Sequence, residues 1–327
     1  MRHTVSSFFA YIIVKLYDWD YSERMGSVIF RAFCLLFMIF LGYGLKKIGV
    51  LHKDDGAVVA RIVLNITLPC ALIMGFREFV FDAKLFLIPV VSIVMLLSEM
   101  GVGYLLSRRT KSREDSVYYM LSMDGFNIGN FVLPFVSNVL GATGIVAVCL
   151  FDIGNAIVCM GIGLLLVSIV VGSDRKVSLG KSILGLFKKP PFFVYTLMLV
   201  LAIFNLKLPD FVFEIAGSIS PANGPMAMIM IGLMLEFSFK KEHVKKILEV
   251  IGIRLGFACL VGYLFYTFAP FDEIIRRAVV VTCFAPVASS APAFTVDYGG
   301  NTELAGFVNS VSIILSMVLI PVLLTVL

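Results

Sequence analysis

The run Asp124-Gly125-Phe126-Asn127-Ile128-Gly129-Asn130-Phe131-Val132-Leu133-Pro134 places an acid, two amides, two glycines and a proline in the middle of an apolar stretch spanning about residues 116–140. Glycine and proline both weaken a helix, and proline also removes a backbone donor. In lipid, a broken helix leaves amides and carbonyls without water, so it persists only where protein or an aqueous cavity receives them. A plain proline-kinked span is the bland alternative. The acid and amides beside the kink favour a break that binds something. The chemistry on offer is non-covalent recognition, because asparagine side chains both donate and accept. A second interruption, Ala285-Pro286-Val287-Ala288-Ser289-Ser290-Ala291-Pro292, lies in the run 274–296. Four further polar residues sit deep in apolar sequence. Asp152 and Asn155 are three apart and share a helix face. Asn65 precedes Pro69, and Asn309 heads a serine-bearing stretch that ends near Pro321.

The elements that must position these residues are membrane helices. The chain has 327 residues, 59% of them hydrophobic, and a mean hydropathy of +0.98. A span needs roughly 20 mainly apolar residues. Ten runs qualify approximately: 28–47, 56–76, 84–106, 116–140, 143–171, 190–206, 210–237, 247–268, 274–296 and 304–327. The expected fold class is therefore an all-α polytopic membrane protein with ten transmembrane helices. The six cysteines all fall in apolar runs without a C-x-x-C pair, and His3, His52 and His243 fall in the tail and polar loops. Neither a disulfide framework, a metal site nor a cofactor is expected. No zinc-protease, nucleophile-elbow or phosphate-loop signature is present, so the chain is not expected to be an enzyme.

The net charge of +5 reflects topology rather than nucleic-acid binding. If loops alternate sides, one set carries sixteen lysines and arginines, among them Lys46, Lys47, Arg108, Arg109, Lys111, Arg175, Lys176, Lys188, Lys189, Lys240 and Lys241. The other set carries five: Arg77, Lys84, Lys207, Arg276 and Arg277. The positive-inside rule puts the richer set in the cytoplasm, which gives a plasma-membrane protein with both termini outside. Residues 1–27 read as an N-terminal extension. It is either an interfacial amphipathic segment or sequence upstream of a start at Met25. Arg61 and Glu99 lie toward the inner ends of their runs, where long side chains can reach an interface. Asp152, more central, is expected to matter more than either.

Residues 172–189 form a basic cytoplasmic loop that divides the chain. The first five runs (28–171) have a proline break in the second and a stronger one in the fourth, and the last five (190–327) repeat that order. Because five is odd, the halves enter the membrane from opposite sides. Paired interrupted segments in inverted repeats mark the binding site of many transporters.

Several motifs together resemble the auxin efflux carrier family, which includes bacterial small-anion permeases and plant PIN carriers. They are Leu68-Pro69 in the second run, Asn127-x-Gly129-Asn130-x-x-x-Pro134 in the fourth, and Phe151-Asp152-x-Gly154-Asn155 in the fifth. Pro225 with Gly232, Pro286 followed by Tyr298-Gly299, and Ser312-x-x-x-Ser316-x-x-x-x-Pro321 follow in the later runs. The resemblance covers about residues 28–327. It departs at Val132, where the family usually has glycine, and in the two prolines of the ninth run, either of which could mark the break. The extension 1–27 has no counterpart, and the middle loop is short.

The resemblance implies a fold of the bile-acid symporter and sodium/proton antiporter type. Spans one, two, six and seven would form a scaffold through which a homodimer could assemble. The remaining spans would move, with spans four and nine crossing as broken helices. It further implies a secondary transporter carrying a small organic anion by elevator-like alternating access. Helix N-termini at the breaks, each carrying about half a positive charge, suit a carboxylate. The expected substrate-binding residues are Asn127, Asn130, Pro134, Asn65, Pro286, Ser289, Ser290 and Pro292. Asp124, Asp152, Asn155 and Asn309 are expected to give coupling or polar support. The alternatives are a sodium-coupled bile-acid-type symporter on the same fold and, in another class, a membrane receptor or enzyme without transport.

Overall fold

A computed structural model describes residues 19–110, 112–173, 178–235 and 243–327, and it is helical throughout apart from connecting turns. The basic positions Lys111, Arg175, Lys176, Lys240 and Lys241, and most of the N-terminal extension, lie outside the described residues. Helix α1 runs Trp19–Lys47. It therefore begins nine residues before the first apolar run, and residues 19–27 continue the helix into that run. Glu23 and Arg24 fall within it, because charged residues with good helix propensity can extend a helix past its apolar part.

The second run divides into α2 (Lys53–Ile62), a π-helical turn (Val63–Thr67) and α3 (Leu68–Gly75). Pro69 is the second residue of α3, directly after the π-turn in a continuous helix from Asp54 to Gly75. The π-turn absorbs the mismatch just upstream. A short 3₁₀ turn leads into α4 (Leu87–Ser107). The fourth run is interrupted: α5 (Arg113–Leu121) ends, residues 122–127 are not helical, and a π-turn (Ile128–Val132) leads into α6 (Leu133–Val139). Then follow α7 (Gly141–Ile157), another π-turn (Val158–Ile162), α8 (Gly163–Val170) and α9 (Leu179–Leu186).

In the second half, α10 (Pro190–Ile203) opens on the proline pair. Helices α11 (Asp210–Ile219) and α12 (Asn223–Met234) flank a 3₁₀ turn at Pro221, and α13 is Val244–Phe268. Helices α14 (Glu273–Cys283) and α15 (Ala291–Asp297) flank the second break, and α16 is Thr302–Val326. Five stretches among the described residues are long and apolar enough to cross a membrane: Asp54–Gly75, Ala83–Ser107, Gly141–Val170, Val244–Phe268 and Thr302–Val326. Ile128–Val139 and Pro190–Ile203 are shorter apolar pieces. The chain is thus a multi-pass helical membrane protein.

The helices pack in two groups. In one, α1 and α2 lie along α12, while α10 and α11 pack on α3. In the other, α4 packs on α7, α14 on α7 and α13, and α15 on α16. The α1–α12 contact is close because glycines face backbone. A Cβ on Gly42 would run into the Ile229 carbonyl, and one on Gly232 would meet Ile39 and Tyr43 main-chain atoms. Helices in lipid gain most of their association from such close packing of small residues. Phe30, Phe33, Phe37 and Phe40 on α1 point outward and are exposed, as a lipid-facing surface requires.

Candidate substrate-binding site

The two breaks meet. Phe126 and Val287 form an isolated antiparallel bridge. Asn127 N–H donates to the Pro286 carbonyl at 2.9 Å, and Ala288 N–H donates to the Gly125 carbonyl at 3.2 Å. Main-chain groups freed by one broken helix are satisfied by the other, which meets the requirement that buried backbone polar groups find partners. This decides between the two prolines of the ninth run. Pro286 lies in the break itself, whereas Pro292 is the second residue of α15, where proline is tolerated as part of a first helical turn. Gly125 lets the strand-like segment pass close to the π-turn Val158–Ile162, since a Cβ there would sit 2.7 Å from the Cys159 Sγ.

Asn155 clamps the bridge from the side. Its Oδ1 accepts from Phe126 N–H at 2.8 Å, and its Nδ2 donates to the Phe126 carbonyl at 3.1 Å and to Asp152 Oδ1 at 2.9 Å. The i, i+3 spacing of Asp152 and Asn155 thus produces one connected polar unit.

A cavity of about 410 Å³ opens against this crossing, lined by Asn65, Phe126, Asn127, Asn130, Asp152, Asn155, Cys159, Lys188, Lys189, Ser289 and Ser290. Asn127 occupies the N-cap position of the segment after the break, yet its side chain makes no capping hydrogen bond. The Asn130 Oδ1 is buried without a hydrogen-bond partner. Both amides therefore retain capacity toward the cavity. Asn65 is exposed and donates back to the Arg61 carbonyl at 2.7 Å.

Of the twelve residues singled out by sequence, seven line this cavity: Asn65, Asn127, Asn130, Asp152, Asn155, Ser289 and Ser290. Pro134 is buried as the second residue of α6, and neither it nor Pro286 nor Pro292 lines the cavity. Their part is to shape the breaks. Asp124 is fully buried behind the bridge. Asn309 is half-buried outside the cavity, with its Oδ1 lacking a partner.

Two features escaped sequence reasoning. Lys188 and Lys189 stand at the cavity mouth. Their basic stretch was legible only as topology, although Lys189-Pro190-Pro191 does mark the point where a helix starts and the loop must turn back. Arg254 and Glu99 are the second. Glu99 does not reach an interface: it is fully buried, and its Oε2 lies 3.1 Å from Arg254 Nη1. Arg254, 6% exposed, also donates to the Ser122 and Gly125 carbonyls at 3.0 Å each and lies 4.2 Å from the centre of the Phe126 ring. It therefore caps the Ser122 carbonyl at the end of α5, where a helix carries partial negative charge and favours a cation, and adds a second donor to the Gly125 carbonyl that already accepts from Ala288 N–H.

A second cavity, of about 250 Å³, is lined by Ala71, Met74, Gly75, Ser137, Asn138, Pro221 and Gly224. The helix from Lys53 to Gly75 contributes to both cavities. On this helix, next to Leu68 of the first cavity and four residues before Ala71 of the second, the Thr67 hydroxyl donates to Asn223 Oδ1 at 3.1 Å in a buried position.

A multi-pass helical membrane protein with paired broken helices beside a polar cavity has the build of a membrane transporter. The sequence matches the family described as "Membrane transport protein" over residues 27–324, and the chain belongs to that family, the auxin efflux carriers. It is also similar to a protein described as an uncharacterized transporter from Methanothermobacter thermautotrophicus. The two are 25% identical over 290 residues, which span 88% of this chain and 94% of the relative.

Proposed function

We propose that this protein is a secondary transporter that moves a small organic anion across the plasma membrane by elevator-like alternating access. In this proposal ten spans form two inverted repeats of five, residues 28–171 and 190–327, joined by the cytoplasmic loop 172–189. The observation that carries it is the crossing of the two breaks beside a cavity that combines amides, hydroxyls and two lysines. A carboxylate needs donors and positive charge together. Asn127, Asn130, Ser289 and Ser290 offer the donors, and Lys188 and Lys189 offer the charge. The segment starting at Asn127 adds free N–H groups and a dipole end of the right sign.

The packing supports the moving parts. The group α1–α3 with α10–α12 would be the scaffold, through which a homodimer would form. The group containing α4–α8 and α13–α16 would be the unit that slides. The larger cavity opens beside the basic loop, which the positive-inside rule places in the cytoplasm, so this conformation is inward-facing. The smaller cavity and the Thr67–Asn223 bond would lie on the outward path. Two experiments test the proposal together. In a thermal-shift screen of purified protein against carboxylic acids, a binder raises the melting temperature by mass action. Flux of that binder into proteoliposomes, with and without sodium, then separates an anion carrier from a sodium-coupled symporter. Absence of flux for every acid that binds would leave a receptor and sink the transport proposal.

A further inference from the structure

Behind the crossing lies a charge imbalance. Arg254 faces two buried carboxylates, Glu99 from α4 and Asp124 from the break. Its guanidinium is already engaged by Glu99, by the carbonyls of Ser122 and Gly125, and by the Phe126 ring. Both Glu99 oxygens and the Asp124 Oδ2 are buried without a hydrogen-bond partner, but Glu99 has the ion pair with Arg254 and Asp124 has none. A buried carboxylate without an ion pair is costly to keep ionised, and taking up a proton relieves that cost. One cation against two acids leaves room for one proton, and the missing ion pair assigns it to Asp124.

Asp124 also has a route to the cavity. The Cys159 Sγ lies 4.0 Å from Asp124 Oδ1 and 3.7 Å from the Ser290 Oγ, and both Cys159 and Ser290 line the cavity. Thiol and hydroxyl each donate and accept, so a proton leaving Asp124 for Cys159 is matched by one passing from the Cys159 thiol to Ser290 and on to cavity water. No group is gained or lost along the way. The titratable and charged groups that face this cluster from the surrounding elements are few among the described residues. Glu99 lies on α4, Arg254 on α13, and Cys283 on α14 faces Glu99. Asp152 and Lys189 approach Cys159 from the cavity side.

Resting on the anion-carrier reading, we propose that Asp124 is a proton-carrying site, loaded and emptied from the substrate cavity through Ser290 and Cys159, which links anion movement to a proton. Infrared difference spectra of the purified protein, in light and heavy water, read the proton directly and need no substrate. Wild type should show a protonated-carboxyl band that disappears in Asp124→Asn, and a Cys159 S–H band that shifts in the same variant. Circular dichroism confirms that the variant is folded. A carboxyl region identical in wild type and folded Asp124→Asn would overturn the assignment.

The linkage is tested in proteoliposomes with malonate as the probe and a trapped pH dye. Wild type should move protons with malonate. Asp124→Asn should lose the proton movement, and Cys159→Ala should slow it at least tenfold, with Cys159→Ser restoring it. Proton movement unchanged in both Asp124→Asn and Cys159→Ala would refute the route. If wild type carries no malonate or other carboxylate, the anion reading fails, while the infrared result still decides whether Asp124 holds the proton.

Discussion

Replacing Arg254 by methionine removes the cation from a buried junction while keeping a long, flexible side chain in the same space. Three groups are left behind. Glu99 Oε2 loses a partner at 3.1 Å, and the Ser122 and Gly125 carbonyls each lose a donor at 3.0 Å. Removing one member of a buried ion pair costs about 3–5 kcal/mol, because the survivor is an uncompensated charge. Interhelical hydrogen bonds in membrane proteins average only about 0.6 kcal/mol, so the ion-pair loss dominates and the carbonyls add little. The expected destabilisation is therefore about 3–5 kcal/mol, more than two decades in the unfolding equilibrium. Adding Glu99→Gln removes the stranded charge. The double variant should recover by about 1–3 kcal/mol, a coupling of the size seen for residues in direct contact. The assay is denaturant unfolding of the purified protein in mixed micelles, followed by loss of helical circular dichroism. An Arg254→Met protein within about 1 kcal/mol of wild type, or a double variant no better than the single, would show that the pair is not the bracing it is taken to be.

Asn127→Ala should weaken binding of the carboxylate found by the screen about tenfold or more, roughly 1.4 kcal/mol. The melting temperature should change little, because Asn127 forms no cap; early melting with unchanged affinity would remove it from the site. Gly232→Val should abolish stable accumulation by forcing a side chain into the backbone of α1, whereas Gly44→Ala, with nothing within 4 Å of a new Cβ, should be neutral; comparing both on a size-exclusion profile checks this. Cysteines at Arg109 and Lys245 should resist an impermeant thiol reagent in intact cells while one at Lys207 reacts, and the reverse pattern would invert the membrane orientation. Lys188→Ala and Lys189→Ala together should raise the KM for an anionic substrate several-fold and reduce its dependence on ionic strength, since exposed charges act through screened attraction.

Several helix starts were legible because they follow composition, although α1 begins well before its apolar run. The apolar runs starting near 84, 143, 190 and 247 begin within a few residues of the helices at 83, 141, 190 and 244. The breaks were legible because Asn127, Gly129 and Pro286 carry backbone preferences that act locally. What remained hidden depends on contacts between distant parts of the chain. Nothing around Glu99 indicates that Arg254 lies against it, so an acid in the inner half of a span looked able to reach the interface. The same applies to Asn155, whose two bonds to Phe126 make it a clamp for the crossing as well as a cavity wall. Pro134 misled in a different way. It signalled the break correctly but sits past the π-turn, where it is buried in α6 rather than beside the cavity.

The bridge between the two breaks is built from main chain to main chain, Asn127 N–H to Pro286 and Ala288 N–H to Gly125. Amides and carbonyls are common to nearly every residue type, so these two bonds make no demand on the side chains of Asn127 and Ala288, while Gly125, Asn155 and Arg254 hold the crossing in place. Ser289, Ser290 and Asn130 line the cavity without taking part in these two bonds, so the lining can change while the crossing stays fastened.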